Sequence, residues 1–330
     1  MGELDAQERR LRALPCWTSD TILSVTPAKQ VQGLGCGRTN QNFVLRTKQS
    51  GAFFVRCSSD LPDFGVSRAR ECEIARAIGK LGIGPDVVYS QMPDIIVWRL
   101  LEGQPLTTKM LQDAMDGRDE KLLRAVATSI RRLHDCEIPV SMAESAVKNL
   151  RKWMPPHLDS WYEHAKQRGF SRRAILDDVT KLLDEIESIA GEPVDRVCLC
   201  HFDLLPDNMV YLTSSRSIAL VDLEYSGVGQ REMDLAIMFM GCDATHDQEM
   251  NFLMHYYNAE NASTLLEPLR KRFDALKLLA AIRETLWGVV AETSESSSLN
   301  LEEAMAYTDL NYARYQTFLR RFNDCYVSNR

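Results

Sequence analysis

Cys200–Asn208, which reads CHFDLLPDN, and Leu220–Tyr225, which reads LVDLEY, are the two stretches that decide the fold. The first has the spacing His-x-Asp-x-x-x-x-Asn, and the second places an acidic residue at the end of an apolar run. The apolar residues around them predict two short strands, 208–212 and 218–223, joined by a turn at 213–216. The start of one strand and the end of the other are neighbours in an antiparallel pair, so we expect the polar residues of both stretches to lie together.

These residue types suit the transfer of a phosphoryl group. A carboxylate can orient and deprotonate an attacking hydroxyl, while an amide oxygen and a second carboxylate can hold Mg²⁺ against phosphates. We therefore predict Asp203 as the catalytic base, with His201 in the same catalytic loop, and Asn208 and Asp222 as ligands of Mg²⁺. The spacing equals that of the protein-kinase catalytic loop. The alternative is that His201, Asp203 and Asp207 only cap a turn.

Composition and charge exclude several classes of protein. The chain has 330 residues, of which 45% are hydrophobic and 26% are charged, and this length favours two lobes. The net charge is −7 without a basic block, so a nucleic acid is not an expected partner. The sequence has no apolar run of membrane-spanning length and no signal peptide, and its nine cysteines are scattered, which predicts a cytoplasmic protein. The pair Cys198 and Cys200 lacks the spacing of a zinc site.

The order of predicted elements gives an α+β fold. Residues 1–30 suggest short helices and a linker, and residues beyond 105 are mostly helical. Between them we predict a small antiparallel sheet with one inserted helix, built from strands 42–47, 52–57, 87–89 and 95–101 and a helix at 67–81. Glu102–Pro105 breaks the pattern. We therefore expect a two-lobed, protein-kinase-like fold with an N-terminal nucleotide-binding lobe (1–102) and a helical catalytic and substrate lobe (103–330).

A glycine-rich segment precedes the first of these strands. Glycines such as Gly35 and Gly37 let backbone amides approach phosphate oxygens closely, although an ordinary glycine-rich turn would look the same. Arg56 ends a later strand and Glu71 lies on the following helix. In kinases a basic residue at this point contacts the α- and β-phosphates and is held by a glutamate of the following helix. Glu73 is a competing partner for Arg56.

The motifs together resemble the choline/ethanolamine kinase family, within the wider aminoglycoside-phosphotransferase-like kinases. The similarity extends from about residue 30 to the C-terminus and is carried by these segments: Gly35–Phe43 with Asn40, Val55–Arg56, Arg68–Glu71, Gly82–Pro85, His201–Asn208 and Val221–Tyr225. The resemblance implies ATP and Mg²⁺ as cofactors, an amino alcohol as substrate, a nucleotide contact at Asn40 and a structural role for Asp234. The sequence does not indicate an oligomeric state.

The resemblance also implies a substrate pocket near the C-terminus. A quaternary ammonium is held best by aromatic faces with carboxylates nearby. Trp287 and Tyr307 are candidate aromatic residues, and Glu224 and Tyr225 are candidates from the catalytic segment. Animal choline kinases have a second tryptophan three residues after the first, where this chain has Val290. Three alternatives stay open: aromatic residues that only pack helices together, a kinase for another cationic alcohol such as an aminoglycoside or thiamine, and a kinase-like binding protein.

Overall fold

The computed structural model describes residues 3–17, 19–31, 41–139, 142, 163–167, 172–190, 196–258 and 269–326. The first part of these residues forms an antiparallel sheet, and the second part is mainly helical. The fold is therefore α+β, as the sequence predicts.

The N-terminal sheet has five strands in the order β1-β2-β3-β5-β4, and all neighbours are antiparallel. The strands are β1 (Ile22–Pro27), β2 (Gln41–Thr47), β3 (Ala52–Cys57), β4 (Val87–Gln91) and β5 (Ile95–Arg99). Alternate side chains of the central strands pack against α1 (Glu3–Arg12) and the turn after it, since one face of a strand is filled by every second residue. The residues buried on this face are Leu11, Leu14, Trp17, Phe43, Leu45, Phe53, Val55, Cys57, Ile95 and Val97.

The prediction of only helices and a linker for residues 1–30 is wrong at β1. This strand has a mixed pattern of burial without the period of two that marks a half-buried strand. It is a strand because its backbone pairs with β2, for example at Val25 and Leu45. An edge strand of this kind is specified by its neighbour more than by its own side chains.

Helix α2 (Arg68–Lys80) lies where the sequence predicts a helix. It begins at Ser67, whose hydroxyl accepts a hydrogen bond from the backbone N–H of Arg70, and ends before Gly82 at φ +65°. Its buried face carries Ile74 and Ile78, and also buries two charged residues of its first turn. That first turn therefore brings charge into the interior near the candidate site.

Backbone hydrogen bonds join the sheet region to the second part of the chain. Within Glu102–Pro105, Gln104–Pro105 forms a short strand, β6, which pairs with Val210 and Tyr211 of a later strand. The backbone N–H of Leu220 donates to the carbonyl of Ile83 at 2.8 Å. The boundary at residues 102 and 103 stays a prediction.

The second part of the chain packs helices around residues 198–229, which contain the two stretches of the candidate site. The helices are α3 (Thr108–Met115), α4 (Glu120–Asp135), α5 (Arg173–Thr180), α6 (Leu183–Ala190), α7 (Arg231–Gly241), α8 (His246–Tyr257), α9 (Arg270–Thr293) and α10 (Leu301–Tyr326). The strands are β7 (Cys198–Cys200), paired with β10 (Gly227–Gly229), and β8 (Met209–Leu212), which lies between β6 and β9 (Ser217–Leu220). Across the described ranges, no helix is both long enough and apolar enough to cross a membrane.

Candidate active site

The loop between β7 and β8 brings Asp203 and Asn208 into contact. A short turn of 3-10 helix, Pro206–Asn208, ends this loop. The Asn208 side-chain amide donates to the backbone carbonyl of Asp203 at 2.8 Å and to its carboxylate at 2.9 Å. Because the amide nitrogen is directed at Asp203, the amide oxygen is available to a cation.

The predicted β8–β9 hairpin forms and brings Asp222 beside Asn208, although its second strand ends at Leu220 and not at residue 223 as predicted. Met209 pairs with Leu220, and the backbone N–H of Val221 donates to the carbonyl of Asn208 at 3.0 Å. Asp222 follows directly and has φ +62°, a left-handed conformation that is uncommon outside glycine. This conformation turns the chain sharply after the strand, and such conformations often mark functional positions.

Asp234 holds the loop that follows β7 through hydrogen bonds to the loop's backbone. Its carboxylate accepts the backbone N–H groups of His201 and Phe202, each at 2.7 Å, and lies 3.0 Å from Nε2 of His134. His201 in turn donates from Nε2 to the carbonyl of Val221 at 2.9 Å, which links the loop to the hairpin. The pKa of His201 is lowered by burial. These contacts are structural, in line with the role that the resemblance implies for Asp234.

Four buried charged side chains and the partly exposed Asp222 join the N-terminal region to the hairpin. Arg56 contacts the carboxylate of Glu71 and donates to Asp222 at 2.9 Å. Arg68 donates to Glu71 at 2.8 Å and to Glu224 at 3.0 Å. The arginine that we expect near phosphates is therefore directly hydrogen-bonded to the carboxylate that we expect near the metal.

Burial and neighbouring carboxylates raise the pKa values of both aspartates. The pKa of Asp222 rises to about 6, first because of burial and then because of Glu224, although Arg56 acts in the opposite direction. The pKa of Asp203 is raised well above its usual range by burial, with Arg283 lowering it and Glu284 raising it. A divalent cation would relieve this repulsion, and the oxygen donors of Asn208 and Asp222 are those that Mg²⁺ prefers.

Three of the four predicted substrate residues lie together. The indole N–H of Trp287 donates to the hydroxyl of Tyr225 at 2.8 Å, and the rings of Trp287 and Tyr307 meet edge to face with centroids 4.9 Å apart. The fourth, Glu224, makes its described contacts with arginines: Arg68 at 3.0 Å and Arg56 at 3.9 Å. Its role toward substrate stays a prediction.

Two residues next to this aromatic group were not predicted from the sequence. Phe64 packs on Trp287 with ring centroids 5.3 Å apart, and the hydroxyl of Tyr307 donates to the carboxylate of Glu284. Nothing local marks Phe64, which lies in a short turn before α2. The spacing of Glu284 and Trp287 was an available signal, because residues three apart on a helix share a face.

Two features remain: the predicted nucleotide contacts of the glycine-rich segment, and a buried cluster of one histidine and two cysteines. Gly35, Gly37 and Asn40 lie outside the described residues. Ligand atoms of His134, Cys198 and Cys200 lie within 4.8 Å of one another in the interior. Both ring nitrogens of this histidine already contact other side chains, one of them the hydroxyl of Tyr256 at 2.6 Å, so we assign the cluster to packing.

Comparison with known proteins identifies relatives over most of the chain. The family described as choline/ethanolamine kinase matches residues 31–319. "Probable choline kinase 2" of Arabidopsis thaliana is 23% identical over 308 residues, which cover 86% of this chain and 83% of that protein. The structure of a Plasmodium vivax ethanolamine kinase has a TM-score of 0.69 at 19% identity and covers 92% of this chain and 85% of its own. A spectinomycin phosphotransferase in complex with ADP and spectinomycin has a TM-score of 0.58 at 16% identity, covering 94% and 98%.

Proposed function

Because the chain belongs to the choline/ethanolamine kinase family, we propose that it transfers the γ-phosphoryl group of ATP to the hydroxyl of choline or a related amino alcohol. One observation carries the proposal: the contact between Asp203 and Asn208 beside Asp222, which gathers a base and two oxygen ligands for a metal. A relative is named a probable choline kinase, and a structural neighbour contains ADP, which supports the same acceptor and nucleotide.

In the proposed reaction, Asp203 accepts the proton of the acceptor hydroxyl while its oxygen attacks the γ-phosphorus. The new oxygen–phosphorus bond forms as the bond between the γ-phosphorus and the β,γ-bridging oxygen breaks, and ADP leaves. The carboxylate of Asp203, which accepts a hydrogen bond from the side-chain amide of Asn208, is the acceptor of this proton in the proposal. His201 acts through the backbone of the loop that it ties to the hairpin.

The nucleotide is held by residues of both parts of the chain. Arg56, oriented by Glu71, would contact the α- and β-phosphates, and Asn208 and Asp222 would hold Mg²⁺, which would supply positive charge against the phosphates. The assignment of Gly35, Gly37 and Asn40 to the nucleotide rests on the family resemblance of the glycine-rich segment. In this scheme residues 1–102 form the nucleotide-binding lobe, and residues 103–330 form the catalytic and substrate lobe.

The acceptor occupies the region of Trp287, Tyr307 and Tyr225. Aromatic faces attract the ammonium group of an amino alcohol through cation–π interactions. Charged residues of α9, the helix that carries Trp287, change the pKa of Asp203, so the base lies near these aromatic residues. An acceptor can therefore have its ammonium at the aromatic group and its hydroxyl at the base.

A turnover assay with ATP, Mg²⁺ and a panel of alcohols tests the proposal. The panel contains choline, ethanolamine, an aminoglycoside and thiamine, with ADP release and ³¹P NMR of the product as readouts. We expect a phosphate monoester of an amino alcohol, and no product with Asp203→Asn. Product from the aminoglycoside or thiamine alone would leave a kinase with a different acceptor. Nucleotide binding without any product would favour a binding protein.

A further inference from the structure

We infer that Glu284 binds the ammonium group of the acceptor and makes this chain favour a primary ammonium over a trimethylammonium. The inference rests on the proposed function and names the acceptor class of the same site. The carboxylate of Glu284 lies beside the aromatic residues Trp287, Tyr307 and Tyr225.

Glu284 lies on the wall that carries the aromatic residues. It precedes Trp287 by three residues on α9, so the two side chains share a face of the helix. Tyr307 connects them, because its hydroxyl donates to Glu284 while its ring packs on Trp287 at 4.9 Å. The side chain of Glu284 keeps 13% of its surface exposed, against 4% for Glu224. Of these two carboxylates near the site, Glu284 is the more accessible to a ligand.

Arg283 brings a positive charge next to Glu284 and the aromatic residues. Its guanidinium is buried, lies over the ring of Tyr225 at 5.2 Å and donates to Glu284 at 2.7 Å. A fixed cation beside an aromatic pocket repels a cationic acceptor. Glu284 neutralises this charge through its hydrogen bond with Arg283, so a cationic acceptor can approach the aromatic residues.

The chemistry of this wall distinguishes the two kinds of ammonium. A primary ammonium has three N–H donors that carboxylate and phenol oxygens can accept, whereas a trimethylammonium has none and depends on aromatic faces. Val290, one turn after Trp287, is fully buried in the core and offers no aromatic face. Methyl groups against Glu284 would remove water from a carboxylate without replacing its hydrogen bonds, which is unfavourable.

The test measures kcat/KM for ethanolamine, its N-methyl and N,N-dimethyl derivatives and choline, at saturating ATP and Mg²⁺. For the parent protein we expect a decrease along this series. For Glu284→Gln we expect a loss of about tenfold to hundredfold with ethanolamine, the size of a charge-assisted hydrogen bond, and less than about threefold with choline. The KM for ATP should not change. Glu292→Gln is the matched control, because Glu292 is a carboxylate on the same helix whose described partner is Arg172, at 3.0 Å, and not an aromatic residue of the site.

A second variant keeps the test decisive if Glu284→Gln does not fold. Tyr307→Phe removes only the hydroxyl that holds Glu284, and we expect it to lower kcat/KM for ethanolamine more than for choline. A parent protein that prefers choline, or equal losses across the four acceptors in a folded variant, would overturn the inference and leave the kinase function intact. Failure to phosphorylate any of the four would overturn the proposed function and this inference together.

Discussion

Arg68 donates a hydrogen bond to Glu224 at 3.0 Å, although 156 positions separate them in the sequence. Both side chains are buried, one in the first turn of α2 and the other just after the β8–β9 hairpin. Glu71 accepts from Arg68 and also contacts Arg56, so the two arginines share a partner. The ion pair therefore fixes the position of Glu71 and, through it, the arginine that we propose for the phosphates.

The first prediction concerns this ion pair. Arg68→Met should lower the free energy of unfolding by about 3–5 kcal/mol, because it leaves Glu224 and Glu71 buried with one partner fewer. Urea denaturation measures the loss. The double variant with Glu224→Gln should lose less than the sum of the two single losses, as expected for residues in contact.

An exposed ion pair provides the control for this prediction. Arg124 and Glu120 are paired on the surface, with side chains 64% and 60% exposed, and Arg124→Ala should cost less than about 1 kcal/mol. Strictly additive losses at Arg68 and Glu224 would show that the two side chains do not depend on each other.

Asp203→Asn should lose most turnover while keeping the fold. An amide cannot accept the proton of the attacking hydroxyl, and loss of a general base typically costs about 10²–10⁴ in rate. The thermal midpoint and the affinity for ATP should stay close to parental values, since the phosphates are held by other residues. Near-parental kcat with any accepted alcohol would mean that Asp203 is not the base.

Asp222→Asn should abolish activity and weaken nucleotide binding that depends on Mg²⁺. Asparagine suits this position as a replacement, because it tolerates the positive φ of Asp222 while it removes the charge. Calorimetric titration with ATP, in the presence of Mg²⁺ and of EDTA, separates the metal-dependent part of the affinity. An unchanged response to Mg²⁺ would exclude Asp222 as a metal ligand.

Arg56→Ala should raise the KM for ATP more than the KM for the amino alcohol. The guanidinium is proposed to contact the α- and β-phosphates, and its removal leaves Glu71 and Asp222 without a shared cation. Arg56→Lys retains the charge but not the two-pronged geometry, so an intermediate KM is expected. An equal rise in both KM values would point to a general loss of structure, which thermal denaturation would detect.

Trp287→Ala should raise the KM for choline by about threefold to thirtyfold, because an aromatic face contributes about 0.5–2 kcal/mol to binding a cation. Ethanolamine should lose less, since hydrogen bonds hold its ammonium. Trp287→Phe keeps a ring and should fall between the parent and the alanine variant. Identical losses for both alcohols would indicate that Trp287 only packs against Phe64 and Tyr307.

Local sequence patterns were sufficient for the hairpin and for α2, because turn residues and apolar periodicity act over a few positions. They were insufficient for β1, whose structure depends on β2, and for Phe64, which meets Trp287 only after the chain has folded. The pairing of Arg68 with Glu224 was hidden for the same reason. Sequence motifs named both residues but could not show that one is the other's partner.

The segment from Leu220 to Glu224 is fastened to the N-terminal region at both ends, by the backbone bond to Ile83 and by the ion pair with Arg68. Its length is therefore constrained as strictly as its residue types. One inserted or deleted residue would leave every side chain of the site present in the protein, yet Asp222 would no longer lie beside Asn208. The number of residues between these two attachment points is therefore fixed, and we expect insertions and deletions to be tolerated only outside this segment.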